Sequence, residues 1–199
     1  MSHSDYPSVR LILRPPLGEE DVERYAGSQH WRKEYDRRES SAAGTLREVA
    51  WRVSTEVMLH YTVDDVTNCP YIFFTAPWRQ IGRGFIRHAE QNLRVFTHDD
   101  LLAAFDESHG SEDRANALLR LALGSPRELD DDSFDRIVSA LQDQDDKVRR
   151  AAVYATSYTP SALYRPYLRR IAQRDPVKAI RKDAKEMLLA YDDALIGEP

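Results

Sequence analysis

The chain has 199 residues, 42% of them hydrophobic and 31% charged, with a formal net charge of −5. That is enough chain to bury a core in one large domain or two small ones beneath a heavily charged surface. No apolar run approaches the roughly 20 residues of a membrane helix, and the first residues lack the pattern of a secretory signal. Cys69 is alone, which excludes an intramolecular disulfide and a cysteine-based zinc site. A cytoplasmic location without a membrane partner is expected.

Residues 1–44 are polar and charge-rich, broken at Pro15-Pro16 and at the run Ser40 to Gly44, and are expected to be partly flexible. Val9–Leu13 could be a short strand, and Glu19 to Tyr35 reads as a weak helix. Next, Val49, Trp51, Val53, Thr55, Val57, Leu59, Tyr61 and Val63 share one face at period two. Leu46, Val49, Ala50, Val53 and Val57 also fit a helix, so residues 46–54 stay open between strand and helix. Residues 55–63 and 70–76 predict an antiparallel hairpin across the turn formers Asp64-Asp65 and Asn68-Cys69-Pro70.

From Arg79 to Asn92 the period becomes helical through Ile81, Phe85, Ala89 and Leu93. Arg94–Phe96 predicts a brief strand, and Thr97 with Asp99 and Asp100 marks the start of a helix carrying Leu101, Leu102 and Phe105. The expected organisation is a charged segment over 1–44, a small α+β unit over 45–109, and a helical region over 110–199.

The helical region repeats itself. Asp143 to Ala152 aligns with Asp175 to Ala184 at an offset of 32, and a step back of 33 puts Asp113 to Leu119 in the same frame. Phe134, Ile137, Val138 and Leu141 match Tyr164, Tyr167, Leu168 and Ile171 at an offset of 30. Each unit is then an acidic turn, a helix with small inner residues, a linker and a helix with a larger apolar face. Such units bury their stripe only against neighbours.

Asp143 with Val148-Arg149-Arg150-Ala151-Ala152, and Asp175 with Ile180-Arg181, resemble the start of a HEAT repeat, over about 89 residues in all. The hairpin ending in Pro70–Phe74, followed by Val148 to Tyr158, is similar to uncharacterised bacterial HEAT-repeat proteins. The resemblance implies an α+β chain, with the small hairpin-plus-helices unit followed by a short all-α HEAT-like solenoid of two to three helical pairs. It implies protein binding and transfers no activity.

Charge is segregated along this region. Residues 128–146 carry eight acids against Arg136, whereas residues 147–185 carry eleven bases against Asp175 and Asp183. Arg149, Arg150, Tyr158, Arg165, Arg169, Arg170, Lys178 and Arg181 are the expected partner-binding residues, since exposed Tyr beside Arg is the composition of interface hot spots. Tyr154, Tyr164, Tyr167 and Trp78 are grouped with Tyr158 as an aromatic cluster.

The opposing reading is that Arg149 and Arg181 pair with Asp143, Asp145 and Asp175 between repeats while the other bases form a solvated face. A third reading takes the basic stripe as a phosphate-neutralising surface like the groove of HEAT-like alkyl-purine DNA glycosylases.

No catalytic residue, metal or cofactor is expected. His3, His30, His60, His88, His98 and His109 are dispersed without metal-ligand spacing, and Cys69 has no His nearby in sequence. Gly82-Arg83-Gly84 lacks the form of a phosphate loop. Only His60 with Asp64 and Asp65 could be nominated for an enzyme of unrecognised type. The expected function is a non-enzymatic scaffold, regulator or immunity-type inhibitor.

Overall fold

A computed structural model describes residues 6–40, 45–126, 128 and 130–198, and its fold is α+β. The chain divides into two compact units, Met1–Thr97 and His98–Pro199. The division falls before His98 rather than after His109 because helix α3 (His98–Asp106) packs on helix α4 (Ser111–Gly124). His3 and the breaker residues 41–44 lie outside the described residues.

The first unit is a six-stranded antiparallel sheet with strands β1 (Tyr6–Pro7), β2 (Leu11–Ile12), β3 (Arg32–Ser40), β4 (Thr45–Arg52), β5 (Met58–Asp64) and β6 (Pro70–Ala76). Their order is β1-β6-β5-β4-β3, with β2 also pairing β6. The β5–β6 hairpin forms as the turn chemistry predicts, with Tyr61 opposite Ile72. Residues 46–52 resolve as strand, with β4 pairing β5 through Trp51 and Leu59, and the chain turns over at 53–57, where Val57 accepts from the Val53 and Ser54 amides.

One expectation for the first 44 residues is corrected. Helix α1 (Glu19–Ser28) stops at His30, which takes the left-handed φ of 59°, so the predicted helix does not reach Tyr35. Its start is fixed by Asp21, which accepts from the Gly18 amide at 3.0 Å. The chain then runs as the edge strand β3, held to β4 by backbone pairing and by Arg47–Asp36 and Arg52–Glu34 ion pairs. Residues 6–40 are thus tied into sheet and helix. The predicted strand at Arg94–Phe96 is reduced to one bridge, Leu13 to Val95.

One face of the sheet carries the core. Val49, Trp51, Leu59, Tyr61, Ile72 and Phe74 cluster with Val22, Tyr25 and Ala26 of α1 and Ala89 of helix α2 (Arg79–Asn92). Each such burial stabilises by about 1.5–3 kcal/mol before entropy is counted.

The second unit is all helix: α3, α4, α5 (Asp131–Ala140), α6 (Asp146–Ala155), α7 (Arg165–Arg174) and α8 (Lys178–Asp193). Helices α3, α4, α6 and α8 pack each on the next in a row, α5 lies against α4 and α6, and α7 against α8. Helices α4 and α6 pack together, with Ala151, Ala152 and Ala155 of α6 and Leu118 and Leu121 of α4 all buried.

The turns before α6 and α8 share one construction, shifted by 32 residues. The Asp143 carboxylate accepts from the Asp145 amide at 2.9 Å, and that of Asp175 from the Val177 amide at 2.8 Å. Arg149 Nη1 donates to the carbonyls of Asp143 and Gln144, and Arg181 Nη1 to those of Asp175 and Pro176. In the preceding copy the sequence frame is off by two: Arg114, not Asn116, stands where Arg149 stands, as the fourth residue of its helix.

Candidate functional site

The fold takes two of the expected contact residues out of reach. Arg149 Nε and Nη2 donate to the Asp175 carboxylate at 2.7 and 3.2 Å, with side-chain exposures of 11% and 2%. That bidentate geometry raises the Arg149 pKa, and burial of the guanidinium opposes the rise. Burial alone would raise the Asp175 pKa, but the Arg149 and Val177 hydrogen bonds outweigh it and hold the carboxyl below its usual range. Arg165 is buried too, donating to the Ile196 carbonyl and pairing with Asp192 at 2.8 Å. A helix face pointing inward cannot present its charge to a partner, so neither residue belongs to a docking surface.

The remaining expected residues divide by how their charge is used. Arg150 is exposed but bound to Asp183 at 2.7 Å, and Arg169 pairs with Glu198. Arg170 reaches only the Gln142 amide oxygen, at 3.4 Å. Tyr158 is half-buried. Tyr164 is fully buried with its ring 5.2 Å from Phe134, Tyr167 packs edge-on to the same Phe134, and Trp78 belongs to the first unit, so the expected aromatic cluster does not assemble as a surface.

What the structure does assemble is one face of α8. Lys178, Lys182, Lys185 and Leu189 recur at helical spacing, all exposed, and Ala179 and Arg181 flank them around a shallow concavity. Lys182 makes an exposed pair with Glu186 at 3.4 Å. Among the described residues, Lys178, Lys185 and the neighbouring Arg174 have no ion pair. The nearby acids Asp175 and Asp183 are already spent on Arg149 and Arg150. Lys178, Arg181, Lys182 and Lys185 were all legible in the sequence as bases of the 147–185 stripe, and the spacing of 178, 182 and 185 is the signal that puts those three on one face.

The structure does not bring His60 and Asp64 of the nominated group together. Four residues along an extended strand place His60 and Asp64 roughly 13 Å apart, and Asp64 accepts from the Val66 and Thr67 amides of its own turn. His60 instead lies on the sheet face away from the helices. Its Nδ1 is 3.1 Å from the Tyr35 hydroxyl, its Nε2 3.0 Å from the Thr75 hydroxyl, and its ring stacks on Phe73 at 4.5 Å. Tyr35 donates to Glu48 at 2.7 Å, and burial is the main cause of its raised pKa. The result is a hydrogen-bonded tie across β3, β4, β5 and β6.

Among the described residues no three His, Cys, Asp or Glu side chains gather as a metal site, and no helix is long and apolar enough to cross a membrane. His88 Nδ1 meets the Tyr25 hydroxyl at 2.7 Å, His98 Nε2 meets Asp130 at 3.2 Å, and Gly82 and Gly84 lie within α2. Comparison with protein-family models, curated proteins and solved structures finds no match.

Proposed function

We propose that residues 98–199 form a HEAT-like protein-interaction module, a scaffold, regulator or inhibitor rather than an enzyme, that grips an acidic surface of another protein with the outer face of α8. The observation that carries this reading is the face itself: Lys178, Lys182 and Lys185 in line, Leu189 beyond them, and the adjacent carboxylates committed elsewhere. Lys178 and Lys185, without an ion pair among the described residues, raise the local potential and steer an acidic partner onto the helix. Leu189, 62% exposed, supplies apolar area that the charges alone do not. The 32-residue recurrence of the turn construction before α6 and α8 supports the HEAT-like frame.

The test is affinity capture from a lysate of the source cells with the full chain and with the double variant Lys178→Glu, Lys185→Glu. A partner retained by the wild type, released by salt and lost on charge reversal supports the reading; an unchanged partner set overturns it. Labelled duplex is the parallel arm. Binding at about 50 mM salt that collapses steeply as salt rises would replace a protein partner with nucleic acid.

A further inference from the structure

The arginine ladder in the helical unit runs in one direction. The fourth residue of each of α4, α6 and α8 is an arginine. Arg114 of α4 pairs with Asp143, ahead of α6, at 3.4 Å, and Arg149 of α6 pairs with Asp175, ahead of α8, at 2.7 Å. Arg181 of α8 repeats the inner half of the arrangement, donating to the carbonyls of its own turn. Among the described residues Arg181 makes no ion pair, and the Asp175 carboxylate that its charge reaches is already bound on two oxygens by Arg149. Each earlier rung finds its acid in the turn ahead of the next helix. The third borders the basic concavity of α8.

The other end of the row is its complement. The outer face of α3 presents Asp99, Ala103 and Asp106 with Glu107 beside them, all exposed. Their spacing is i, i+4, i+7, the same as that of Lys178, Lys182 and Lys185, so each face is about 10 Å long at 1.5 Å per residue. Ala103 on one face and Ala179 on the other leave room for close helix approach. Asp106 already shares its charge with Arg136, whereas Asp99 has no ion pair among the described residues.

We propose that the chain associates head to tail with a second copy of itself, the basic face of α8 seating on the acidic face of α3 of the next molecule and supplying Arg181 with the carboxylate its ladder calls for. The inference rests on the reading of α8 as an interaction face and names its occupant. The two surfaces differ, so the contact is heterologous: each molecule keeps one free face of each sign, and the assembly grows beyond a dimer or closes as a ring. Exposed pairs contribute little each, so assembly is weak, concentration-dependent and salt-sensitive.

The experiment is sedimentation of the purified full chain over a range of concentrations at about 50 and about 500 mM salt, where the screening length falls severalfold. Growth beyond a dimer at low salt, reversed at high salt, is expected. Two variants, each checked for native circular dichroism, complete it: Lys182→Glu with Lys185→Glu, and Asp99→Lys with Glu107→Lys. Each alone carries two faces of like sign and loses association at least tenfold, and an equimolar mixture regains it because opposite faces meet again. A monomeric wild type at low salt, an assembly capped at two, or a mixture that stays monomeric overturns the proposal. None of these results bears on a foreign partner captured through α8, so the two readings fail separately.

Discussion

Replacing Arg149 with methionine tests the internal rung of the ladder. The substitution keeps the apolar stem, removes both hydrogen bonds to Asp175 and leaves that carboxylate, whose side chain is 2% exposed, with the Val177 amide as its donor among the described residues. Breaking a buried pair from one side costs about 3–5 kcal/mol, far more than the pair contributes against an apolar replacement, because the surviving charge stays desolvated. The loss of two bonds to the carbonyls of Asp143 and Gln144 adds to that cost. In a unit of this size about 3 kcal/mol lowers the Tm by more than about 10 °C.

The readout is far-UV circular dichroism, since the second unit is helical and Trp31, Trp51 and Trp78 all lie in the first. The pH dependence has a definite sign. The Asp175 carboxyl is depressed in the folded chain, so its contribution is present above the unfolded carboxyl range near pH 4 and is lost as pH falls through the lower folded value. The wild type therefore loses this stability only in acid, whereas in Arg149→Met the unpaired, desolvated carboxylate favours its protonated form, so the cost is largest near neutral pH and shrinks as pH falls. The double variant Arg149→Met, Asp175→Asn recovers part of the loss. A cost below about 1 kcal/mol for the single variant, or no recovery in the double, would refute the reasoning.

Gly84→Ala raises stability by up to about 1 kcal/mol in urea denaturation, because the position is an exposed helix interior where an added Cβ meets nothing within 4 Å. Asp130→Ala costs about 1 kcal/mol through the loss of its cap on the Ser133 amide at the head of α5, read by helix content on heating. Tyr191→Phe removes a buried 2.8 Å bond to the Thr156 carbonyl and costs about 1–2 kcal/mol, again by denaturation. Leu59→Ala, at a fully buried position of the first unit, costs about 2–5 kcal/mol, seen as an earlier tryptophan fluorescence transition.

Local pattern was enough for α2 and for the β5–β6 hairpin, because the apolar period and the turn residues of each are written within a dozen or so neighbours. It was not enough for β3. Arg32–Ser40 has almost no apolar alternation, and its strand exists because an edge position pairs its backbone with β4 while its charges face water or Arg47 and Arg52. The same division governs the candidate interface. The sequence by itself determined that the C-terminal half is a recurrent set of helices with a basic last third, since acids, bases and helical period are properties of the chain. Only the tertiary structure decided which bases remain on the surface. Arg149 finds its acid 26 residues away and Arg165 its carbonyl 31 residues away, and both vanish into the packing. Lys178, Lys182 and Lys185 stay exposed on α8, and Lys178 and Lys185 make no ion pair among the described residues.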